Sequence, residues 1–266
     1  MKFEVDGKSV YAHTGGKEFD ADGDVVVLIH GAAMSHLAWT LQTRYLAHHG
    51  KSVLSLDLPG CGETEGEVMD SVEDYAAWIQ KVLDTLKVQE AALIGHSMGA
   101  LIAIEAAGQR PERIRALGLL GVCYPLGVND AFLAAAKDDL PLAIGLMNDW
   151  AHGRRAHLGG FDVPGLWMVG TDTQVIAQAK PGVMHKCLSI CAAYTGGEKA
   201  AAAVTCPTVV VLGQNDQMTP MKLGLKTAAM IDGSQVVQLE DCGHMMMFEQ
   251  PRKLLRTLEG LLDQAA

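Results

Sequence analysis

The sequence predicts an α/β fold: a doubly wound, mostly parallel sheet covered by helices, with a helical insertion in its second half. Three observations carry that expectation. Short apolar runs such as Val25 to Ile29, Ser52 to Leu56 and Thr208 to Leu212 have the length and β-branching of strands buried on both faces. Segments with apolar residues at helical spacing alternate with those runs, as βα units require. The alternation fails between Cys123 and Thr205, a stretch too long for a plain loop.

In chain order, Phe3 to Val5 and Val10 to His13 flank Asp6-Gly7 and read as a hairpin with an Asp-Gly turn. The Val25 run ends in His30-Gly31-Ala32-Ala33, a helix follows from Leu37 to His48, and the Ser52 run ends at Asp57-Leu58-Pro59-Gly60-Cys61-Gly62. Ser71, with Asp74 three residues on, caps a helix carrying Val72, Tyr75, Ile79, Val82, Leu83 and Leu86 at helical spacing. The next apolar run, from Ala91, stops at Gly95-His96-Ser97-Met98-Gly99 and restarts as a small-residue helix that Pro111 terminates. Ile114 to Leu120 is another strand. The insertion, residues 123–205 of a single 266-residue domain, holds helix-like pieces at Asp130 to Lys137, Pro141 to Trp150 and Gly182 to Tyr194. Gly159-Gly160, Pro164-Gly165 and Gly196-Gly197 break it. After the Thr208 strand come a helix from about Met221 to Ile231, a strand from Gln235 to Leu239 and a closing helix from Pro251 to Leu262.

Composition narrows the function. With 49% hydrophobic and 20% charged residues the chain is that of an ordinary globular protein. Its formal charge of -10 and lack of a basic patch argue against nucleic acid or an anionic membrane as partner. The N-terminus has no apolar core behind Lys2, and no stretch approaches 18 apolar residues, so a cytoplasmic protein is expected. Six scattered cysteines include no Cys-x-x-Cys pair. Cys187 and Cys191, with His185 nearby, fit no zinc spacing, so reduced and mostly buried thiols are expected, with no metal site.

In open α/β sheets, reactive groups collect on loops at the carboxyl ends of the strands. Gly-x-Ser-x-Gly around Ser97 is a weak signal alone. Its company makes it specific. Serine needs an imidazole to take its proton and a carboxylate to orient that imidazole. Asp216, after the Thr208 strand, and His244, after the Gln235 strand, fill those roles in the chain order Ser, Asp, His. Asp130 and Asp241 are the competing acids. The amides of Ala32 and Met98 are the expected oxyanion-hole donors. His30 and His96 are expected to support loop packing. Seven of 13 methionines flank these loops, which suggests an apolar pocket using Met34, Met218 and Met245, joined by Trp167 and His185 from the insertion.

With those motifs in place, the chain resembles an α/β-hydrolase. The resemblance rests on His30-Gly31, Asp57-Leu58-Pro59-Gly60-x-Gly62, Gly95-x-Ser97-x-Gly99, Gly213-x-x-Asp216, and Gly243-His244 followed by Glu249-x-Pro251, and it covers nearly the whole chain. Cys61 departs from it, standing where the family commonly has histidine. The resemblance implies a helical lid between the sixth and seventh strands, where the alternation fails. The expected activity is a serine carboxylesterase acting on a small or medium-sized apolar ester, with no metal or organic cofactor. The alternatives are carbon-carbon bond hydrolysis or cofactor-free perhydrolysis on the same triad, and a small-molecule binding module without turnover. Oligomeric state is left open, a homodimer included.

Overall fold

A hydrophobic run with no polar face must be covered on both sides, and the structure, a computed structural model describing residues 1–160, 163 and 165–265, satisfies this with one eight-stranded sheet between helices. The strands are β1 (Lys2–Val5), β2 (Lys8–His13), β3 (Val25–Ile29), β4 (Ser52–Leu56), β5 (Ala91–His96), β6 (Ile114–Leu120), β7 (Thr208–Gly213) and β8 (Gln235–Leu239). Their spatial order is β1-β2-β4-β3-β5-β6-β7-β8. The β1 and β2 hairpin pairs antiparallel to its neighbours, and every other pairing is parallel. β3 to β5 are buried throughout, which is why they read as unbroken apolar runs. β8, at the sheet edge, is mostly exposed.

The connecting helices are α1 (Thr40–His48), α2 (Val72–Thr85) and α3 (Met98–Gln109). Ser71 accepts from the Asp74 amide at 3.0 Å, so the cap read from the sequence is formed. The helix expected from Leu37 begins as a 3-10 turn over His36–Trp39, and only from Thr40 is it α-helical. α3 packs on β5, β6 and α2, and nearly all its residues are buried, so its small-residue composition reflects close packing rather than an amphipathic surface helix.

Between β6 and β7 the described residues form six helices: α4 (Asp130–Asp138), α5 (Leu140–Ala151), α6 (Arg154–His157), α7 (Met168–Ala177), α8 (Val183–Ala193) and α9 (Gly197–Ala202). Three of these, α6, α7 and α9, are absent from the sequence reading. Gly196-Gly197, expected to interrupt, instead opens α9: Gly197 is its first residue, pressed against the Tyr124 ring where a side chain would not fit. Pro164 lies outside the described residues. The chain ends through α10 (Met221–Ala228), α11 (Met246–Glu249) and α12 (Pro251–Gln264), and α12 packs on β6, β7 and α1. Among the described residues no helix is long and apolar enough to cross a membrane.

Candidate active site

Four loops at the carboxyl edge of the sheet meet around Ser97. β5 ends at His96, α3 begins at Met98, and Ser97 between them is forced to φ 55 and ψ -118. A non-glycine residue held there stores strain that its surroundings must support. Gly95 and Gly99 make this possible: a methyl on Gly95 would run into the Gly99 carbonyl, and one on Gly99 into the Ile29 carbonyl. The turn therefore lifts a half-buried serine into a cleft. Met98 opens α3, where the first amides have no carbonyl of their own helix to bond. On the facing loop Ala33 is also left-handed, at φ 58, and Ala32 beside it lines the cleft.

His244 Nδ1 lies 2.7 Å from Asp216 Oδ2, with both side chains buried. That bond fixes the tautomer: Nδ1 carries the proton, and Nε2, which has no hydrogen-bond partner, holds a free lone pair. Thr219 completes the arrangement. Its hydroxyl donates to Asp216 Oδ2 at 2.7 Å, its oxygen lies 3.2 Å from His244 Nδ1, and its amide donates to Asp216 Oδ1 at 2.8 Å. The sequence reading missed Thr219. The signal was its position three residues after the aspartate, the spacing at which an Asp side chain receives local amides. The competing acids stand elsewhere: Asp130 is exposed at the start of α4, and Asp241 is exposed at φ 51.

A second missed residue is Gly121, at the end of β6 with φ 54. A methyl there would sit 2.8 Å from His244 Nδ1 and 3.4 Å from Asp216 Oδ2, so the pair occupies the space a side chain would need. The histidines set aside for packing do pack. His30 Nε2 accepts from the Leu58 amide at 3.1 Å, and His96 Nε2 lies 3.0 Å from the His244 carbonyl. Burial holds both below the usual histidine range, and in His96 the nearby His244 adds to this.

The cleft, about 120 Å³, is lined by Ala32, Ser97, Met218 and Thr219 from the core. From the insertion come Phe132 of α4, Met147 and Trp150 of α5, and Leu188 of α8. Phe132 and Trp150 meet edge to face at 5.3 Å. Of the pocket residues expected from sequence, Met218 is in this wall. Met34 is buried against a separate, smaller cavity, and Met245 is fully buried behind His244. Trp167 is 67% exposed on an outer groove, and His185 is half-buried on α8. On α8 it is Leu188, three residues after His185, that reaches the cleft wall. No lysine or arginine is among the residues lining the cleft. Among the described residues no three His, Cys, Asp or Glu side chains gather in a way that would hold a metal ion.

The structure thus joins Asp216, His244 and Thr219 beside a mostly apolar cleft that Ser97 and Ala32 line, with no hydrogen bond between Ser97 and His244 Nε2. Residues 26–257 match the family model described as alpha/beta hydrolase family. The chain is 24% identical over 254 residues to the (E)-2-((N-methylformamido)methylene)succinate hydrolase of Acinetobacter baylyi, covering 91% of each. It is 25% identical over 263 residues to the 2-hydroxymuconate semialdehyde hydrolase of Pseudomonas sp., covering 91% of this chain and 88% of that one. Among solved structures, a thermophilic esterase from Thermogutta terrifontis superposes with a TM-score of 0.85 at 20% identity, covering 100% of this chain and 99% of that one.

Proposed function

From a chain that belongs to the alpha/beta hydrolase family, we propose a serine hydrolase that cleaves the carboxylic ester of a small or medium-sized, uncharged apolar substrate. The observation carrying this reading is the Asp216-His244 pair, with a free Nε2, tied through Thr219 to the wall of a cleft that Ser97 also lines and that no lysine or arginine lines. Ser97 attacks the carbonyl as His244 Nε2 takes its proton, and Asp216 holds the imidazolium that forms. The amides of Ala32 and Met98 receive the developing oxyanion. His244 returns the proton to the leaving alcohol, and water admitted to the same base then releases the acid from Ser97. The insertion between β6 and β7 serves as the lid that shapes the acyl site.

Carbon-carbon bond hydrolysis is the second reading, favoured by the likeness over 91% of the chain to the 2-hydroxymuconate semialdehyde hydrolase. A muconate-derived substrate is anionic, and burying an unpaired carboxylate in an apolar cleft is costly. That favours the neutral ester. Steady-state hydrolysis of p-nitrophenyl butyrate, compared with cleavage of a 2-hydroxy-6-oxo-dienoate, tests the choice. Ester turnover that falls about 10⁴-fold or more in Ser97→Ala is the expected result. Turnover of the dienoate alone would overturn it.

A further inference from the structure

The cleft changes character from its inner wall to its mouth. The inner wall is apolar and buried: Phe132 of α4, Met147 of α5 and Leu188 of α8 are 2%, 3% and 4% exposed. Gly127, Asn129 and Gln217 line the same cleft and are exposed, so they stand at its mouth. Of the two side-chain amides there, Asn129 is the one held in a fixed orientation. Its Oδ1 accepts from the Ala131 amide at 2.8 Å and from the Phe132 amide at 3.3 Å, which caps α4. Oxygen and nitrogen sit on opposite arms of a planar carboxamide, so the cap also fixes the nitrogen. Nδ2 keeps two N–H donors that have no partner among the described residues. The next residue, Asp130, is exposed.

We propose that Asn129 is a specificity-determining residue, selecting esters whose alcohol portion carries a neutral hydrogen-bond acceptor, such as a ketone or amide carbonyl, close to the ester oxygen. This deepens the ester reading and rests on it. The acyl group stays on Ser97 while the alcohol departs, so the alcohol portion occupies the open end of the cleft and the acyl chain the apolar end. At the open end an apolar alcohol portion takes water from the Asn129 donors and returns nothing. A carbonyl there replaces that water with a hydrogen bond. A carboxylate in the same place is disfavoured. No lysine or arginine lines the cleft, Asp130 adjoins Asn129 with a like charge, and the α4 amides that would favour an anion are already taken by Asn129 Oδ1.

The test compares 2-oxopropyl butyrate with 2-methylprop-2-enyl butyrate, which has the same shape and a methylene in place of the ketone oxygen. Asn129→Ser and Asn129→Asp both keep an oxygen that caps α4, so the fold is retained, and the urea midpoint checks this. Serine is too short to carry a donor to the same place, and aspartate puts a carboxylate oxygen where the donors were. The wild-type kcat/KM ratio of ketone ester to alkene ester is expected to fall about two- to tenfold in Asn129→Ser, the range that one neutral hydrogen bond supplies, and further in Asn129→Asp. The ketone also activates its own ester, but equally in every variant, so the change in the ratio isolates the contact. A ratio that stays the same in both Asn129 variants, or that falls in Gln217→Leu and not in them, overturns the proposal. Failure of the ester reading looks different, because the wild type then hydrolyses neither compound. Calorimetric Kd values of the same pair with Ser97→Ala decide that case. Tighter binding of the ketone that the added Asn129→Ser change abolishes supports the contact; equal affinities, or binding of neither, overturn it.

Discussion

At the scale of single residues, Thr219 and Gly121 show how tightly the Asp216-His244 pair is held. Asp216 Oδ2 receives two hydrogen bonds of 2.7 Å, from His244 and from the Thr219 hydroxyl. Thr219→Val keeps the shape and removes one donor, a loss worth about 1 to 3 kcal/mol where the acceptor is charged and buried. Ester kcat is expected to fall about tenfold with KM unchanged, and Thr219→Ser to restore it. An unchanged kcat in the valine variant would mean that the hydroxyl plays no part. Gly121→Ala adds both a left-handed strain and a methyl 2.8 Å from His244 Nδ1. Displacing the imidazole by about 1 Å costs about 10²-fold in kcat, measurable in the same assay. Ser97, Asp216 and His244 were legible in the sequence as candidates because the proposed chemistry needs particular residue types in a particular chain order. Thr219 and Gly121 were not, because a threonine after an aspartate and a glycine after a strand have commoner explanations, and only the assembled loops show what each touches.

At the scale of elements, the insertion is fastened to the Asp216 and His244 loops rather than merely laid over them. The end of α5 accepts from both: Trp150 through its carbonyl from the Gln217 amide at 3.2 Å, and Ala151 from the His244 amide at 2.6 Å. Glu249 on α11 closes the corner, its carboxylate accepting from Gly243 at 3.0 Å and from Gly153 at 2.9 Å. Burial raises its pKa while those amides pull it down, so the anion is held by the peptide groups of two separate elements. α5 therefore belongs to the rigid frame. Any opening for substrate must come from other parts of the insertion. Glu249→Gln keeps one acceptor oxygen and loses the charge, which is expected to cost about 2 kcal/mol of stability, read as a lower urea midpoint, and to reduce kcat through the His244 loop. A variant with native stability and kcat would separate this corner from the site. The strands and α2 were legible because hydrophobic periodicity is a local property. In the insertion, α6, α7 and α9 are short or lack an amphipathic stripe, and they are set by packing partners distant in sequence.

For the whole molecule, the buried ionisable groups set how stability follows pH. Asp172 on α7 is fully buried, neither of its oxygens has a hydrogen-bond partner, and its pKa is raised from 3.8 to about 7, chiefly by burial. A carboxyl whose folded pKa lies above its unfolded value binds its proton more tightly when folded. Its ionisation therefore draws the protein toward unfolding: stability is lost as pH rises from about 4 through about 7, then levels off, a swing of roughly 4 kcal/mol at most. His152 acts with the opposite sign. Burial lowers its pKa from 6.5 to about 4, so its contribution is present above 6.5 and lost as pH falls through 4. Between pH 4 and 6.5 the two slopes oppose each other, and the wild-type profile alone would hide both. Asp172→Asn isolates one of them, because an amide of the same shape does not titrate. Urea unfolding from pH 5 to pH 8 is expected to show the variant gaining on the wild type by about 1 kcal/mol or more for each pH unit until the difference saturates above pH 7. Parallel curves for the two proteins would mean that Asp172 ionises as freely when folded as when unfolded, and that the burial of its carboxylate imposes no pH-dependent load on the fold.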